Sequence, residues 1–302
     1  MWLAANVLPA TVSSAIILTP SPPPHPHKTP KKQNGITYHN GPVMTNPTAI
    51  YIIYYGNSFA GNNRTNIINN FAANVWNTSW YNIQSTYGAN TKPFLANFTV
   101  ITGNPNGTSL SDAAILNIIT SKMADGTFPT STDAVYFLIT DAAVTASSGF
   151  CTSYCGWHSV ATYKATAIKY SFVGDAGRCP TSCSVFSSTV KPPNGDVGMD
   201  GAVSVFAHEL VETTSDPNLN AWYDSRGNEN GDKCAWTFGT TAKIAATVVW
   251  PYPGATYNLV VPTPTGNKPY YVQQNWINAL FGIVKGKCGM GYPTIPALAF
   301  AP

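Results

Sequence analysis

The chain has 302 residues, with 44% hydrophobic residues, 10% charged residues and a formal net charge of +3. A chain of this length can bury one large core or two modest ones, and we expect one. Basic residues are scattered except for Lys28, Lys31 and Lys32, so we expect no nucleic-acid partner. Beyond the N-terminus no stretch reaches the roughly 20 apolar residues of a membrane helix, so we expect no membrane role.

The first 34 residues form two segments of different composition. Residues 1–19 are mostly apolar, although Asn6 and Pro9 interrupt them, and this pattern is typical of a signal peptide or its remnant. Residues 20–34 are rich in proline and cannot bury a core, which predicts a linker or pro-segment with solvated histidines. We therefore predict one folded domain, residues 35–302, in a secreted protein.

Strand-like and helix-like patterns alternate after residue 35. Apolar, β-rich runs predict buried strands at 49–56, 94–101 and 133–140. Apolar stripes at helical spacing predict helices at about 65–84 and 110–124. The same rules predict one or two strands within 161–173, a helix over 199–214, and short strands near Thr247, 257–261 and 270–274.

This order of elements predicts an α+β fold. It consists of a βαβαβ sheet, an edge strand and a helix, followed by a loop-rich C-terminal part that disulfides hold together. The upper half of zincin-type zinc peptidases has the same order, so by analogy we expect a zincin-like mixed sheet with an active-site helix. In that arrangement the substrate lies along an edge strand above the metal.

The residues that could carry chemistry are concentrated in one window. All glutamates of the chain, Glu209, Glu212 and Glu229, fall there. In the predicted helix His208 and Glu212 share a face, with Glu209 beside them. Zinc hydrolases take two ligands from one helix turn in the pattern His-Glu-x-x-His and use the intervening glutamate to activate water. Here Glu212 replaces the second histidine, so the match is degenerate although carboxylates do bind zinc.

We predict that His208 and Glu212 bind zinc and that Glu209 is the catalytic base. The alternative is an ordinary core histidine with two glutamates on a solvated helix face. The clustering of acids in a chain with few charges favours the metal. Candidates for the third ligand are Glu229 first, then Asp216 and Asp232 as alternates, and less plausibly Asp224.

Six cysteines indicate an oxidising compartment. Proximity along the chain suggests Cys151 with Cys155, Cys179 with Cys183, and Cys234 with Cys288, among 15 connectivities. A structural zinc site built from the first four cysteines is a second interpretation. Acceptor sequences for N-glycosylation, which also favour export, occur at Asn63, Asn77, Asn97 and Asn106.

Long motifs lie at residues 38–44, 149–158, 169–174, 178–183 and 192–201. Through them the chain strongly resembles the EXORDIUM, or phosphate-induced protein 1, family over most of residues 36–290. The resemblance implies a secreted or wall-associated protein, linked in plants to cell expansion and growth signalling, with no established reaction. It also implies a microbial-type member, because plant members lack His208, Glu209 and Glu212 at the matching helix.

Three hypotheses on function follow. The first is a secreted zinc-dependent peptidase or amidase that acts on a peptide or on a cell-wall or matrix component. The second is a non-catalytic wall- or matrix-associated module with a structural metal, where calcium is the alternative to zinc. The third and least favoured is a glycosidase that uses Glu209 and Glu229 as acid and base. His158 and Tyr223 are oxyanion partners by residue type only, and we expect both to serve packing.

Overall fold

A computed structural model describes residues 16–17, 35–245, 252–278 and 286–292 of the chain. The predicted linker, most of the predicted signal segment and the predicted strand near Thr247 lie outside the described residues. Among the residues described, no helix combines the length and the hydrophobicity that crossing a bilayer requires.

A mixed sheet forms the centre of the molecule. Four strands run parallel in the order β2, β1, β3, β5, and β4 pairs antiparallel with β5. The short strand Ile16–Ile17 pairs antiparallel with the outer side of β4. The long strands are β1 (Ala49–Tyr55), β2 (Phe94–Ile101), β3 (Ala134–Thr140), β4 (Gly156–Tyr163) and β5 (Thr166–Val173).

The helices connect and cover these strands. All residues of β3 are buried, as expected for a central parallel strand that is covered on both faces. Within the described residues the α-helices are α1 (Arg64–Asn74), α2 (Asp112–Ala124), α3 (Pro180–Cys183) and α4 (Val197–Ser215). Short 3₁₀ helices lie at Asn57–Phe59, Val75–Asn77, Tyr81–Tyr87, Ala176–Arg178 and Asp232–Cys234.

Short two-stranded ladders hold the loops, and most lie in the C-terminal part. They pair Thr37–Tyr38 with Trp222–Tyr223, Ser109–Leu110 with Thr145–Ala146, Ala242–Lys243 with Thr256–Tyr257, Leu259–Val261 with Lys268–Tyr270, and Asn275–Ile277 with Lys287–Gly289. The α+β class and the βαβαβ order are confirmed.

Two predicted elements differ in the structure. The helix predicted over 65–84 ends at Asn74 and continues as 3₁₀ turns, where the Thr78 hydroxyl donates to Val75 O and accepts from Tyr81 N. Such local bonds compete with helical hydrogen bonds. The region 161–173 belongs to a hairpin of β4 and β5 that turns at Lys164 and Ala165, both with positive φ. Neither residue type signals such a turn.

Helix α4 is enclosed on all sides over nearly its whole length. The carboxylate of Asp196 caps its start by accepting from Met199 N, and every residue from Gly198 to Ser215 is buried. The helix packs against β4, β5 and α1. It ends at Ser215, with Asp216 as its C-cap, because Pro217 disfavours helical geometry in the residue before it.

The disulfides are Cys151–Cys179, Cys155–Cys183 and Cys234–Cys288. The predicted pairing is confirmed for Cys234–Cys288 and wrong for the other four cysteines. Cys179 and Cys183 lie one helical turn apart, where Cβ atoms are about 5–6 Å from each other, too far for a disulfide. Each therefore pairs across to the segment of Cys151 and Cys155. Because these four cysteines form two disulfides, the predicted structural zinc site of four cysteines is also wrong.

Candidate functional site

Helix α4 contributes three buried side chains to one cluster. His208, Glu209 and Glu212 are each at most 1% exposed. His208 and Glu212 are four residues apart, and His208 Nε2 lies 3.0 Å from Glu212 Oε1. The α4 face that carries these groups is therefore closed off from bulk water.

The loop before Cys234 closes over this helix. Asp232 Oδ1 lies 3.6 Å from His208 Nε2, and the Asp232 N–H donates to Glu212 Oε1 at 3.0 Å. Gly231 makes the approach feasible, because a Cβ there would lie 2.7 Å from His208 Nδ1 and 2.9 Å from Glu212 Oε1. The disulfide Cys234–Cys288 anchors the end of this loop.

Strand β4 adds a histidine that the sequence interpretation assigned to packing. His158 Nε2 lies 3.1 Å from Glu229 Oε2 and 3.6 Å from Glu212 Oε2. Gly156, two residues earlier on the same strand face, touches α4 so closely that a Cβ would lie 2.5 Å from Val205 Cγ1. Strand alternation thus places His158 toward the helix, but only the fold shows which face α4 covers.

Gln273 holds the other side of the His208 ring. Its side-chain amide contacts His208 Nδ1, and its Oε1 accepts from Trp236 N at 3.2 Å. If His208 Nε2 binds a metal, Nδ1 carries the proton, and the Gln273 amide must turn so that its oxygen accepts that proton. No pattern in the sequence indicated a role for Gln273.

The other acidic candidates have structural partners. Asp216 accepts from Asn220 N and Ala221 N, both at 2.6 Å, and so shapes the turn after α4. Asp224 forms an ion pair with Lys233 at 3.1 Å. Glu229 faces His158, whereas Asp232 joins His208 and Glu212. The geometry therefore favours the alternate Asp232 over Glu229 as a partner of these two, and both assignments as metal ligands stay predictions. Tyr223, which we named as an oxyanion partner by residue type only, stacks on the ring of His39.

Burial changes the proton affinity of the whole cluster. It raises the pKa of Glu212 to about 7 and those of Glu209 and Glu229 well above their ordinary value. Burial and the neighbouring His208 lower the pKa of His158 to about 3. Burial would also lower the pKa of His208, but Glu212 and Asp232 raise it well above the ordinary value. One imidazolium thus faces several acids that lack a counter-charge.

Several polar atoms of the cluster have no hydrogen-bond partner among the described residues. Such atoms are rare in protein interiors and point to an ion or water. They are both carboxylate oxygens of Glu209, Glu212 Oε2 and Glu229 Oε1. Two residue sets have ligand atoms within 4.8 Å of one another: His208, Glu212 and Asp232, and His158, Glu209 and Glu212. Imidazole with carboxylate suits zinc better than calcium, which prefers oxygen alone.

The predicted glycosylation acceptors lie elsewhere on the surface. Asn63, Asn77, Asn97 and Asn106 are all exposed. Asn97 lies on the edge strand β2. Their positions are compatible with modification, which stays a prediction.

Comparison with known proteins identifies relatives of this chain. The protein EXORDIUM-like 5 of Arabidopsis thaliana is 26% identical over 89% of this chain and 85% of its own length. EXORDIUM-like 3 of the same plant is 28% identical over 74% of this chain and 76% of its own. PHOSPHATE-INDUCED 1 of Nicotiana tabacum is 25% identical over 76% of this chain and 79% of its own.

No solved structure matches the chain. A family model described as the phosphate-induced protein 1 conserved region matches residues 36–277. This span includes the sheet, α4 and the closing loop, so the family signal covers the whole candidate site. The chain therefore belongs to the phosphate-induced protein 1 family.

Proposed function

We propose that this protein is an extracellular zinc-dependent hydrolase of peptide or amide bonds, with residues 35–302 as its single folded domain. The supporting observation is the buried set His208, Glu212 and Asp232 beside the unpartnered carboxylate of Glu209. Three disulfides favour an oxidising compartment and hence the extracellular location.

The separations of the donor atoms fit a small tetrahedral cation. Zinc bonds of about 2.0–2.1 Å in tetrahedral geometry imply ligand atoms about 3.3 Å apart. The His208 Nε2 distances of 3.0 Å to Glu212 and 3.6 Å to Asp232 lie on either side of this value. These residues would supply the three protein ligands of a catalytic site.

In this proposal Glu209 is the general base. It is fully buried, and neither carboxylate oxygen has a partner among the described residues. A zinc ion, when bound, would lower the pKa of water toward 7 and polarise the scissile carbonyl. Glu209 would accept the proton of the attacking water and pass it to the amine leaving group.

The topology supports a zincin-like arrangement. Strand β4 is the antiparallel member of the sheet, and it packs against α4. The backbone of Ile16–Ile17 pairs with its outer side, with Ile16 opposite His158. An extended segment thus runs along the strand that borders the cluster, where the analogy places a peptide substrate.

Burial favours a second candidate function. Within the cluster only Asp232, with a side chain 16% exposed, reaches solvent. A substrate can enter only if the closing loop moves, whereas a structural metal needs no entry. The second candidate is therefore a non-catalytic wall- or matrix-associated module that the same metal holds together.

Elemental analysis of purified protein with matched variants tests the proposal. We expect one zinc per chain in the wild type, its loss in His208→Ala and Asp232→Asn, and its retention in Glu229→Gln and Glu209→Gln. Hydrolysis of a mixed peptide library should disappear in Glu209→Gln while the thermal melting curve is unchanged.

Two outcomes would count against the hydrolase. Chelator-free preparations without transition metal would exclude the zinc centre. Zinc that is bound without cleavage of any library peptide, with Glu209→Gln indistinguishable from wild type, would establish the non-catalytic module instead.

A further inference from the structure

A polar cleft lies at the opposite end of α4 from the candidate site. We call it the amide cleft. It has a volume of about 480 Å³, and the residues that line it include Asn63, Asn66, Asn70, Asn194, Tyr252 and Tyr270. Asp196, at the start of α4, also lines it, and His208 follows twelve residues later, about 18 Å along the helix. The amide cleft is therefore distinct from the metal-binding candidate.

The amides of the cleft come mainly from one helix face. Asn63, Asn66 and Asn70 are spaced by three and four residues, so they line up along the start of α1. The side chain of Asn70 has no hydrogen-bond partner among the described residues, and Asn66 Nδ2 makes only a long bond of 3.4 Å to Asn63 Oδ1. These amides can both donate to and accept from a ligand.

The charges near the amide cleft are mostly neutralised within the protein. Arg64 donates to Asp196 at 2.6 Å and to Asp175 at 2.8 Å, so its guanidinium serves the fold. Of the residues that line the cleft, Lys268 is the other basic one. A lining with so little net charge disfavours a phosphate or another strongly anionic ligand.

An aromatic ring stands at the opening. Tyr252 is 47% exposed, and its ring packs on Gly195, where a Cβ would lie 2.1 Å from Tyr252 Cζ. Gly195 also has a φ of +78°, so both its conformation and its lack of a side chain hold the ring in place. The exposed face of this ring is an apolar platform beside the amides.

We propose that the amide cleft binds a short neutral oligosaccharide. Vicinal hydroxyls donate and accept at once, as side-chain amides do, and the apolar face of a sugar ring stacks on an exposed aromatic ring. The volume lies within the roughly 300–1,000 Å³ of ligand pockets. A peptide is disfavoured because the lining, which combines a helix face, a loop and the strand Lys268–Tyr270, is rich in amides and presents no row of apolar pockets for alternate side chains.

Isothermal titration calorimetry on the full chain tests this proposal. The probes are cellohexaose, xylohexaose, laminarihexaose, mannohexaose and chitohexaose, with hexaglycine as the peptide probe. We expect at least one sugar to bind with a Kd of about 1 mM or tighter. Tyr252→Ala should weaken that binding about 10-fold and Asn70→Ala about 5-fold, because each removes one contact.

The control is Asn74→Ala, on the same helix one turn beyond the cleft, which should stay within about twofold of wild type. Glu209→Gln should also bind normally, so this test is independent of the proposed hydrolase. Thermal melting confirms that each variant is folded. No heat from any sugar at about 10 mM, equal binding by wild type and Tyr252→Ala, or Tyr252-dependent binding of hexaglycine would each overturn the proposal.

Discussion

Both ends of α4 bury charged groups, but these groups have partners within the protein at one end and lack them at the other. At the N-terminal end Arg64 pairs with both Asp175 and Asp196, and these carboxylates also accept from Gly177 N and Met199 N. At the C-terminal end Glu209, Glu212 and Glu229 retain oxygens without a hydrogen-bond partner among the described residues. The Arg64 network pairs its charges within the chain itself, whereas the second cluster leaves acids without such pairing, and in our proposal a zinc ion completes it.

This contrast separates a structural network from a candidate functional site. A balanced buried ion pair orients the elements that contribute to it, and the Arg64 network joins α1, the turn after β5 and the start of α4. Buried acids in excess raise each other's pKa and cost folding free energy unless a ligand compensates them. We therefore expect substitutions in the Arg64 network to change the stability of the fold and substitutions in the acidic cluster to change zinc binding.

The largest expected effect concerns the titration of Asp200, which lies in the first turn of α4 and accepts from Asp196 N at 3.3 Å. Burial raises the pKa of Asp200 to about 7, although Asn194 donates to it at 2.9 Å and 2.7 Å. The folded protein then holds a proton that the unfolded chain releases near pH 4, so stability falls as pH rises from about 4 to about 7. The loss is on the order of 4 kcal/mol, at about 1.4 kcal/mol per pH unit.

Urea unfolding of wild type and Asp200→Asn across this pH range measures the difference. In Asp200→Asn the free energy of unfolding should lack the pH dependence that the titration of Asp200 causes. Asp125→Asn is the control, because its exposed carboxylate, hydrogen-bonded by Lys122, has a pKa of about 2, below the window. Parallel pH profiles for wild type and Asp200→Asn would show that Asp200 is ionised in the folded state.

Removal of the Cys234–Cys288 disulfide should also destabilise the protein strongly. The bond closes a separation of 54 residues, for which chain entropy predicts a loss of about 4 kcal/mol in the double serine variant. It also anchors the loop of Asp232, so we expect weaker zinc binding in addition. Comparison with the Cys151→Ser, Cys179→Ser double variant sharpens the test, since that variant should lose stability but keep its zinc. Equal zinc affinity in the two variants would contradict the anchoring role.

Arg64→Ala should lower the free energy of unfolding by about 3 kcal/mol. This value is the lower end of the range for a broken buried ion pair, because the Arg64 side chain is 24% exposed. The fully buried Asp175 would lose its counter-charge. Chemical denaturation measures the effect, and Lys122→Ala is the matched control, because its solvent-exposed ion pair with Asp125 contributes little to stability. Zinc content should not change in either variant. A cost as small as that of Lys122→Ala would mean that the N-terminal network does not stabilise the fold.

The smallest expected effect is that of Gln273→Ala on zinc affinity. Gln273 contacts His208 Nδ1, and loss of a partner that orients a metal-binding histidine lowers affinity about 10-fold or more. Competition with a zinc chelator measures this, and Gln273→Glu should restore most of the affinity because a carboxylate accepts the Nδ1 proton. If zinc affinity in Gln273→Ala equalled that of wild type, His208 would not bind through Nε2.

The sequence by itself determined the elements and part of the site. Period-two and period-3.6 patterns placed β1, β2, β3, α2 and α4 close to their observed bounds, because burial of one or both faces enforces those periods. The same logic put His208 and Glu212 on one helix face. The long motifs identified the family.

Only the tertiary structure decided which distant residues meet. The approach of β4 to α4 brings His158 to Glu212 and Glu229. The segment between the strands Lys268–Tyr270 and Asn275–Ile277 carries Gln273 to His208, and no local pattern encodes these contacts. The loop before Cys234 places Asp232, not Glu229, beside His208. Helix α3 keeps Cys179 and Cys183 apart, so each forms its disulfide with a cysteine of the segment that holds Cys151 and Cys155. Periodicity reports how a segment is buried, whereas the partner across the core depends on how whole elements pack.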